Sequence, residues 1–199
     1  MLKRAFDIVF SAGWLIGFAP LLLVVAILVR LKLGSPVLFI QERPGLRARP
    51  FRMVKFRTMT DARGPDGELL PDEQRLTSFG KFLRSTTLDE FPEMWNVLLG
   101  DMSVVGPRPL LMRYVSRYSP FQARRMEVKP GVTGWAQVNG RNLLSWEEKF
   151  ALDVWYVDHR SFWLDMKIVV MTFFKVFARS GIDAAHGGAV EEFRGEMKD

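Results

Sequence analysis

Residues able to do chemistry are densest in the stretch 77–109, TSFGKFLRSTTLDEFPEMWNVLLGDMSVVGPRP, where two carboxylates, Asp89 and Glu90, are adjacent. Pro92 follows them, then an apolar run of Met94, Trp95, Val97, Leu98 and Leu99. Proline suits only the first turn of a helix, so a helix beginning near 88–91 is expected. Both acids then sit at its positive end, where free N–H groups and the macrodipole favour negative charge. Lys81 and Arg84 lie upstream, and Gly106-Pro107-Arg108-Pro109 downstream is a stiff turn presenting one arginine. Two acids among arginines and glycines suit phosphate chemistry with a divalent metal. Thr87 and Glu90 also spell a capping box, in which the acids only start a helix.

The elements that position this pair begin with composition. A chain of 199 residues, 48% apolar and 25% charged, can bury a core and is not disordered. It has no cysteine, which excludes disulfides, a thiolate nucleophile and zinc–cysteine sites. His159 and His186 are its two histidines, and neither lies in a nucleophile motif. The net charge of +6 points to an acidic partner: nucleic acid, anionic lipid or a phosphorylated ligand.

Residues 8–29, IVFSAGWLIGFAPLLLVVAILV, carry no charge and are long enough to span a bilayer. A cleaved signal peptide is disfavoured because no small-residue cleavage site follows. Pro20 interrupts the run, removing a helix hydrogen bond. Basic residues flank both ends, Lys3 and Arg4 before, Arg30 and Lys32 after, so the positive-inside rule gives a span no orientation. A helix kinked at Ala19-Pro20 that re-enters the same face suits the pattern, with all four cations among headgroups and Ser11 or water serving the opened carbonyls. A straight span is the other reading.

Residues 37–40 read as a short strand, 43–45 as a turn, and 51–59 as a second strand with Arg52, Lys55 and Arg57 on a cationic face. That face is either solvated or lines a phosphate site. Residues 61–74 form a polar loop, and 113–126 a helix-prone connection. The loop 129–142, KPGVTGWAQVNGRN, offers glycines that let backbone approach a ligand, with Gln137 and Arg141 as candidate contacts. It has no GK[ST] and so is not a Walker A loop, and an ordinary surface loop is the alternative. Residues 145–159 look helical. Residues 162–177 read as an amphipathic helix in a membrane interface with Trp163 at headgroup level, or as a core helix. The tail 187–199 is polar and expected to be loose.

RPG at 43–45, KFRTM at 55–59, TLDEFPEMWNVLLGDMSVVGPRPL at 87–110 and PGVTGWAQVNGRN at 130–142 together resemble the bacterial sugar transferase family. More narrowly they resemble its small monotopic polyprenyl-phosphate phosphoglycosyl transferases. The resemblance implies a mostly α α/β membrane-embedded enzyme. Its expected parts are a re-entrant helix at 1–34, a compact catalytic domain at 35–185 with interfacial helices, and a polar tail at 186–199.

The activity so implied moves a sugar-1-phosphate from a UDP-sugar to undecaprenyl phosphate, releasing UMP, at the cytoplasmic face of the bacterial inner membrane. Asp89 matches the family nucleophile and a Mg2+ ligand, and Glu90 its dyad partner in metal or proton duty. Lys55, Arg84, Arg108, Gln137 and Arg141 are the expected substrate contacts. Ala19 stands where the family's Ser-Pro break has serine. A ternary complex, with Asp89 only a metal ligand, is the rival mechanism. A nucleic-acid-binding protein leaves the apolar run unexplained, and a scaffold leaves the acidic–arginine cluster idle.

Overall fold

The uncharged run does not form one helix. In the computed structural model, which describes residues 1–140, 143–177 and 192–195, it is divided between α1 (Leu2–Gly17) and α2 (Ala19–Lys32). The two are bent by 62° at a break on Phe18, and Pro20 falls in the first turn of α2, where its missing N–H costs little. The bend expected at Ala19-Pro20 is therefore present. Among the described residues no single helix is long and apolar enough to cross a membrane, and the bent pair passes that test only together.

Both ends of this pair are fastened to the same body. Lys3 Nζ donates to Asp165 at 2.6 Å and to the Val105 carbonyl at 3.0 Å. Arg4 donates to the carbonyls of Val97 (2.7 Å) and Leu98 (2.8 Å) at the negative end of a later helix. Asp7, buried in α1, accepts from Ser103 Oγ (3.0 Å) and the Val104 N–H (2.9 Å). At the other end Val25, Val29 and Leu33 pack with Phe56 and Leu83. Lys3 and Arg4 thus serve the protein interior rather than headgroups. Ser11 corrects another expectation: its hydroxyl bonds the Asp7 carbonyl at 2.6 Å, within α1 and away from the break.

The chain is mostly helical with two two-stranded sheets. Strands β1 (Leu38–Pro44) and β2 (Pro50–Phe56) form an antiparallel hairpin paired from Leu38↔Phe56 to Pro44↔Pro50. The turn therefore follows Gly45 rather than occupying 43–45. The second strand stops at Phe56, and Arg57 turns inward to the carbonyls of Met59 and Ser35, both at 2.7 Å. Only 7% exposed, it braces the fold and does not stand on an open cationic face. After α3 (Asp72–Arg75), Thr77 caps α4 (Ser78–Ser85) by accepting from the Gly80 N–H at 3.1 Å.

A 3-10 turn, Leu88–Glu90, carries the acidic pair, and α5 (Glu93–Leu99) begins only after Pro92. Thr87 makes no capping hydrogen bond and is left-handed (φ 60°), so the capping-box reading fails. Left-handed backbone at a non-glycine residue costs of order 1–3 kcal/mol and is retained where surroundings demand it. Asn96, buried in the apolar run of α5, accepts from Val54 N–H (3.0 Å) and donates to Arg52 O (2.8 Å), tying α5 to β2.

Strand β3 (Ser103–Val105) runs parallel to β4 (Gly131–Thr133), with α6 (Pro120–Ala123) between them in sequence. Here the glycines of both motifs meet each other. A Cβ on Gly131 lies 2.0 Å from Gly106 N, and one on Gly134 lies 2.2 Å from Gly106 O. These glycines let backbone approach backbone, where the sequence suggested a ligand. Next come α7 (Trp135–Asn139), α8 (Trp146–His159) started by a Ser145–Glu148 capping box, and α9 (Phe162–Phe177). One side of α9 buries Asp165 and Ile168, while Trp163 (79% exposed) and Phe174 (72%) stand bare on another. Part of the tail is anchored: Phe193 is buried against Tyr114, Trp146 and Phe150, and Glu192 pairs with Arg113 and Arg117.

Asp7→Ala leaves two buried donors without an acceptor, at about 1–3 kcal/mol each. Thermal unfolding in detergent is expected to drop by several degrees, at about 2–4 °C per kcal/mol for this size. Asp7→Asn, which keeps an acceptor oxygen, recovers most of the loss. An unchanged midpoint for the alanine variant contradicts this account of how α1 is docked.

Candidate functional site

Glu90 is the charge centre of the site. Its carboxylate accepts from Lys55 Nζ at 2.7 Å and is gripped on both oxygens by the Arg108 guanidinium, one contact being 3.2 Å. Lys55 arrives from β2, and Arg108 from the Gly-Pro turn that the packed glycines hold. The Arg108 carbonyl is fixed in turn by Arg125 Nη2 at 2.7 Å, and Arg125 is fully engaged by buried Asp153 at 2.6 Å. Glu93, one turn beyond Glu90, is also buried and lies 3.0 Å from Lys55.

Environment separates the three acids. Burial alone would raise Glu90, but the charges of Arg108 and Lys55 outweigh it and hold that carboxyl well below the usual range. Asp89 is pushed up to about 6, chiefly by burial and then by the charge of Glu90. Glu93 is pushed up to about 7 by burial and again by Glu90. Asp89 is 8% exposed and, among the described residues, makes no hydrogen bond or ion pair. Glu90 is saturated; Asp89 is the uncommitted one.

A cavity of about 840 Å³ opens beside them. Arg84, Glu90, Arg108 and Gln137 line it, so four of the expected residues do come together. Lys55 and Asp89 stand just outside the lining. Arg84 is set by a 3.1 Å bond to Thr58 Oγ1, and Gln137 Nε2 donates to the Val132 carbonyl at 2.9 Å. Arg141 lies outside the described residues. The cavity has two aromatic walls: Phe10, Trp14, Phe18 and Phe91 at the bent helix pair, and Tyr114, Trp146 and Phe150 on the body.

The sequence reading passed over Arg43, Glu93 and the Arg125–Asp153 pair. Glu93 had a signal, as an acid three residues after Glu90 on one helix face. Arg125 and Asp153 are 28 residues apart, and nothing local couples them. Among the described residues no cluster of three or more His, Cys, Asp or Glu forms a ready metal cage. One free carboxylate does fit Mg2+, which is commonly held by one or two carboxylates plus substrate phosphates.

The site is thus a closely packed acid pair beside a cationic cavity, one wall of which is α1 up to the break at Phe18. The chain belongs to the bacterial sugar transferase family, whose pattern matches residues 1–179. It is 54% identical to the uncharacterized sugar transferase EpsL of Bacillus subtilis over 98% of this chain and 96% of that one. It is also 42% identical to the UDP-glucose:undecaprenyl-phosphate glucose-1-phosphate transferase of Klebsiella pneumoniae, over 88% of this chain and 40% of that protein. The Caulobacter vibrioides enzyme of the same name is 40% identical, over 85% and 67%. The chain thus spans nearly all of EpsL but about two-fifths of the Klebsiella enzyme.

The shift on Asp89 has a sign that can be measured. Below the ordinary 3.8 it is protonated whether folded or unfolded. As pH rises through about 6 the folded protein must ionise a buried acid, and the stability held by the neutral form is lost. Asp89→Asn is therefore expected to stabilise the protein by about 1–3 kcal/mol at pH 8 and by almost nothing at pH 4. Paired melting curves of variant and parent at the two pH values decide it. Equal midpoints at pH 8 mean that Asp89 is well solvated.

Proposed function

We propose that this protein transfers a sugar-1-phosphate from a UDP-sugar to a polyprenyl phosphate such as undecaprenyl phosphate, releasing UMP and starting a lipid-linked glycan. The observation that carries the reading is the Lys55–Glu90–Arg108 cluster with a free Asp89, beside a cavity one wall of which is α1 up to the break at Phe18. The activity for which the Klebsiella, Escherichia coli and Caulobacter relatives are named supports the same reaction.

In the covalent route an Asp89 oxygen attacks the β-phosphorus, the bond from that phosphorus to the bridging oxygen breaks, and UMP departs with the electron pair. An oxygen of the polyprenyl phosphate then attacks the same phosphorus and returns Asp89 as a carboxylate. Glu90, already paired, orients Arg108 and Lys55 so that their charge faces the phosphates. Asp89, held by no hydrogen bond, is free to turn toward the cavity. Asp89 would be the residue to hold Mg2+, whose charge would offset the repulsion between the carboxylate and the incoming diphosphate. A second reading is favoured by Asp89 lying outside the lining: it binds metal only, and the lipid phosphate attacks directly.

On this reading the protein works at the cytoplasmic face of the bacterial inner membrane, with α1–α2 dipping into one leaflet. Support comes from both ends of the pair being fastened to one body, Lys3, Arg4 and Asp7 at one end and Val29 and Leu33 at the other. Bare side chains on α1, α2 and α9, among them Val9, Ile16, Leu31, Trp163 and Phe174, supply the apolar surface.

Membranes given radiolabelled UDP-sugar and undecaprenyl phosphate should yield labelled lipid. Without the lipid acceptor, the covalent route leaves label on the protein with release of UMP, and Asp89→Asn abolishes both. Turnover of that variant within about tenfold of the parent, only about 1.4 kcal/mol of barrier, rules out a nucleophilic role. Single cysteines at Leu2 and Ser35 test topology, since the chain has none of its own. A membrane-impermeant thiol reagent applied to intact cells should label neither. Labelling of Leu2→Cys alone means a spanning helix.

A further inference from the structure

Four buried side-chain polar atoms among the described residues lack a hydrogen bond: Trp14 Nε1, Arg43 Nε, Gln137 Oε1 and Glu93 Oε1, of which only the last is otherwise matched, by its ion pair with Lys55 at 3.0 Å. Three of the four belong to side chains that line the large cavity. Leaving a buried polar atom dry and unpaired is unfavourable, so those of Arg43 and Gln137 mark where a ligand's own polar groups belong.

Arg43 is the charged member. It projects from β1, where Nη1 donates to the Pro109 carbonyl at 3.3 Å and Nη2 to Gln41 Oε1 at 2.6 Å. Among the described residues it forms no ion pair with a carboxylate, whereas Arg108 beside it is matched by Glu90 and Arg125 by Asp153. Burial, and then the charge of Arg108, disfavour its cationic form. Glu93 and Glu90 act on Arg43 from a distance without pairing with it, so its guanidinium keeps positive charge for an incoming anion.

We propose that Arg43 is a second cationic clamp, beside Arg108, for the diphosphate of the nucleotide-sugar donor. The inference rests on the transfer reading above and adds to it a division of the cavity. Arg43 is fastened to Pro109 and shares the wall of Leu111 and Tyr114, on the body. Trp14, Phe18 and Phe91 form the opposite wall, at the bent helix pair, and a prenyl chain enters there. A fork of Nε and Nη donors matches two non-bridging oxygens of one phosphate, and Arg108 takes the other.

The test uses the full chain in lipid nanodiscs and UDP as the probe, with affinity read from quenching of tryptophan fluorescence so that no turnover is needed. Arg43→Gln should weaken UDP binding by about 10- to 100-fold, as loss of a charge-assisted contact does. The KM for UDP-sugar should rise in parallel, while the KM for undecaprenyl phosphate stays within about twofold. Arg43→Lys keeps the charge but not the fork and should fall between the two. Unchanged UDP affinity in Arg43→Gln, or a rise confined to the KM for the lipid, overturns the clamp. If Arg43→Gln unfolds, parental UDP affinity in a folded Arg43→Lys overturns it instead, and weakened affinity there upholds it. Parental protein that binds UDP through Arg43 yet transfers nothing refutes the transfer reading and leaves the clamp standing.

Discussion

A carboxylate removed from water must be compensated on its charged oxygens, and the burial of Glu90 imposes that demand on three separate parts of the chain. Lys55 has to arrive from β2 and Arg108 from the turn after β3, and both must meet the residue before Phe91. The supporting contacts answer to the same demand. Asn96 ties α5 to β2, Gly106, Gly131 and Gly134 bring two backbones into contact, and Arg125 holds the Arg108 carbonyl. Breaking a buried pair by removing one partner is far more damaging than the pair is stabilising, so the cluster secures geometry more than stability.

The same compensation sorts the acids by role. Glu90, matched by two cations, stays ionised and silent. Asp89, beside it but unmatched, carries the consequence of burial as a raised pKa and a free carboxylate. Near neutral pH it is ionised with no partner of its own, the state required of either a nucleophile or a metal ligand. On the cationic side Arg108 is matched while Arg43 and Arg84 form no ion pair among the described residues, so the cavity has an excess of positive charge before any ligand enters.

The bent helix pair joins this polar centre to an apolar surface. Its inward contacts combine polar ones from Lys3, Arg4 and Asp7 with Phe6, Phe10, Trp14 and Leu15 packed on the core along α1, and are apolar at the end, Val25, Val29 and Leu33. Everything between those fastenings bends at Phe18 and turns Val9, Ile16, Leu23 and Leu31 outward. Trp14 and Phe18 face the other way, meeting Phe91 edge to face beside the acidic pair. One element therefore provides both a greasy exterior and a wall of the cavity.

Local chemistry was legible in the residues themselves. Pro20 in an uncharged run dictates a bend, and the adjacent acids and the arginine of the Gly-Pro turn stand out by residue type, because each of these signals is local. The chain's order of four motifs also carried the family resemblance. The partners could not be read there. That Lys3 and Arg4 turn inward, that Thr87 is left-handed rather than a cap, and that Arg57 braces a loop all depend on groups far off in sequence. The pairing of Arg125 with Asp153 and the exposure of Arg43 to the cavity do so too. A side chain's charge and reach belong to the sequence, but which opposite charge or bare carbonyl it meets is set by tertiary packing. Only burial makes an unmet partner costly enough to decide the outcome.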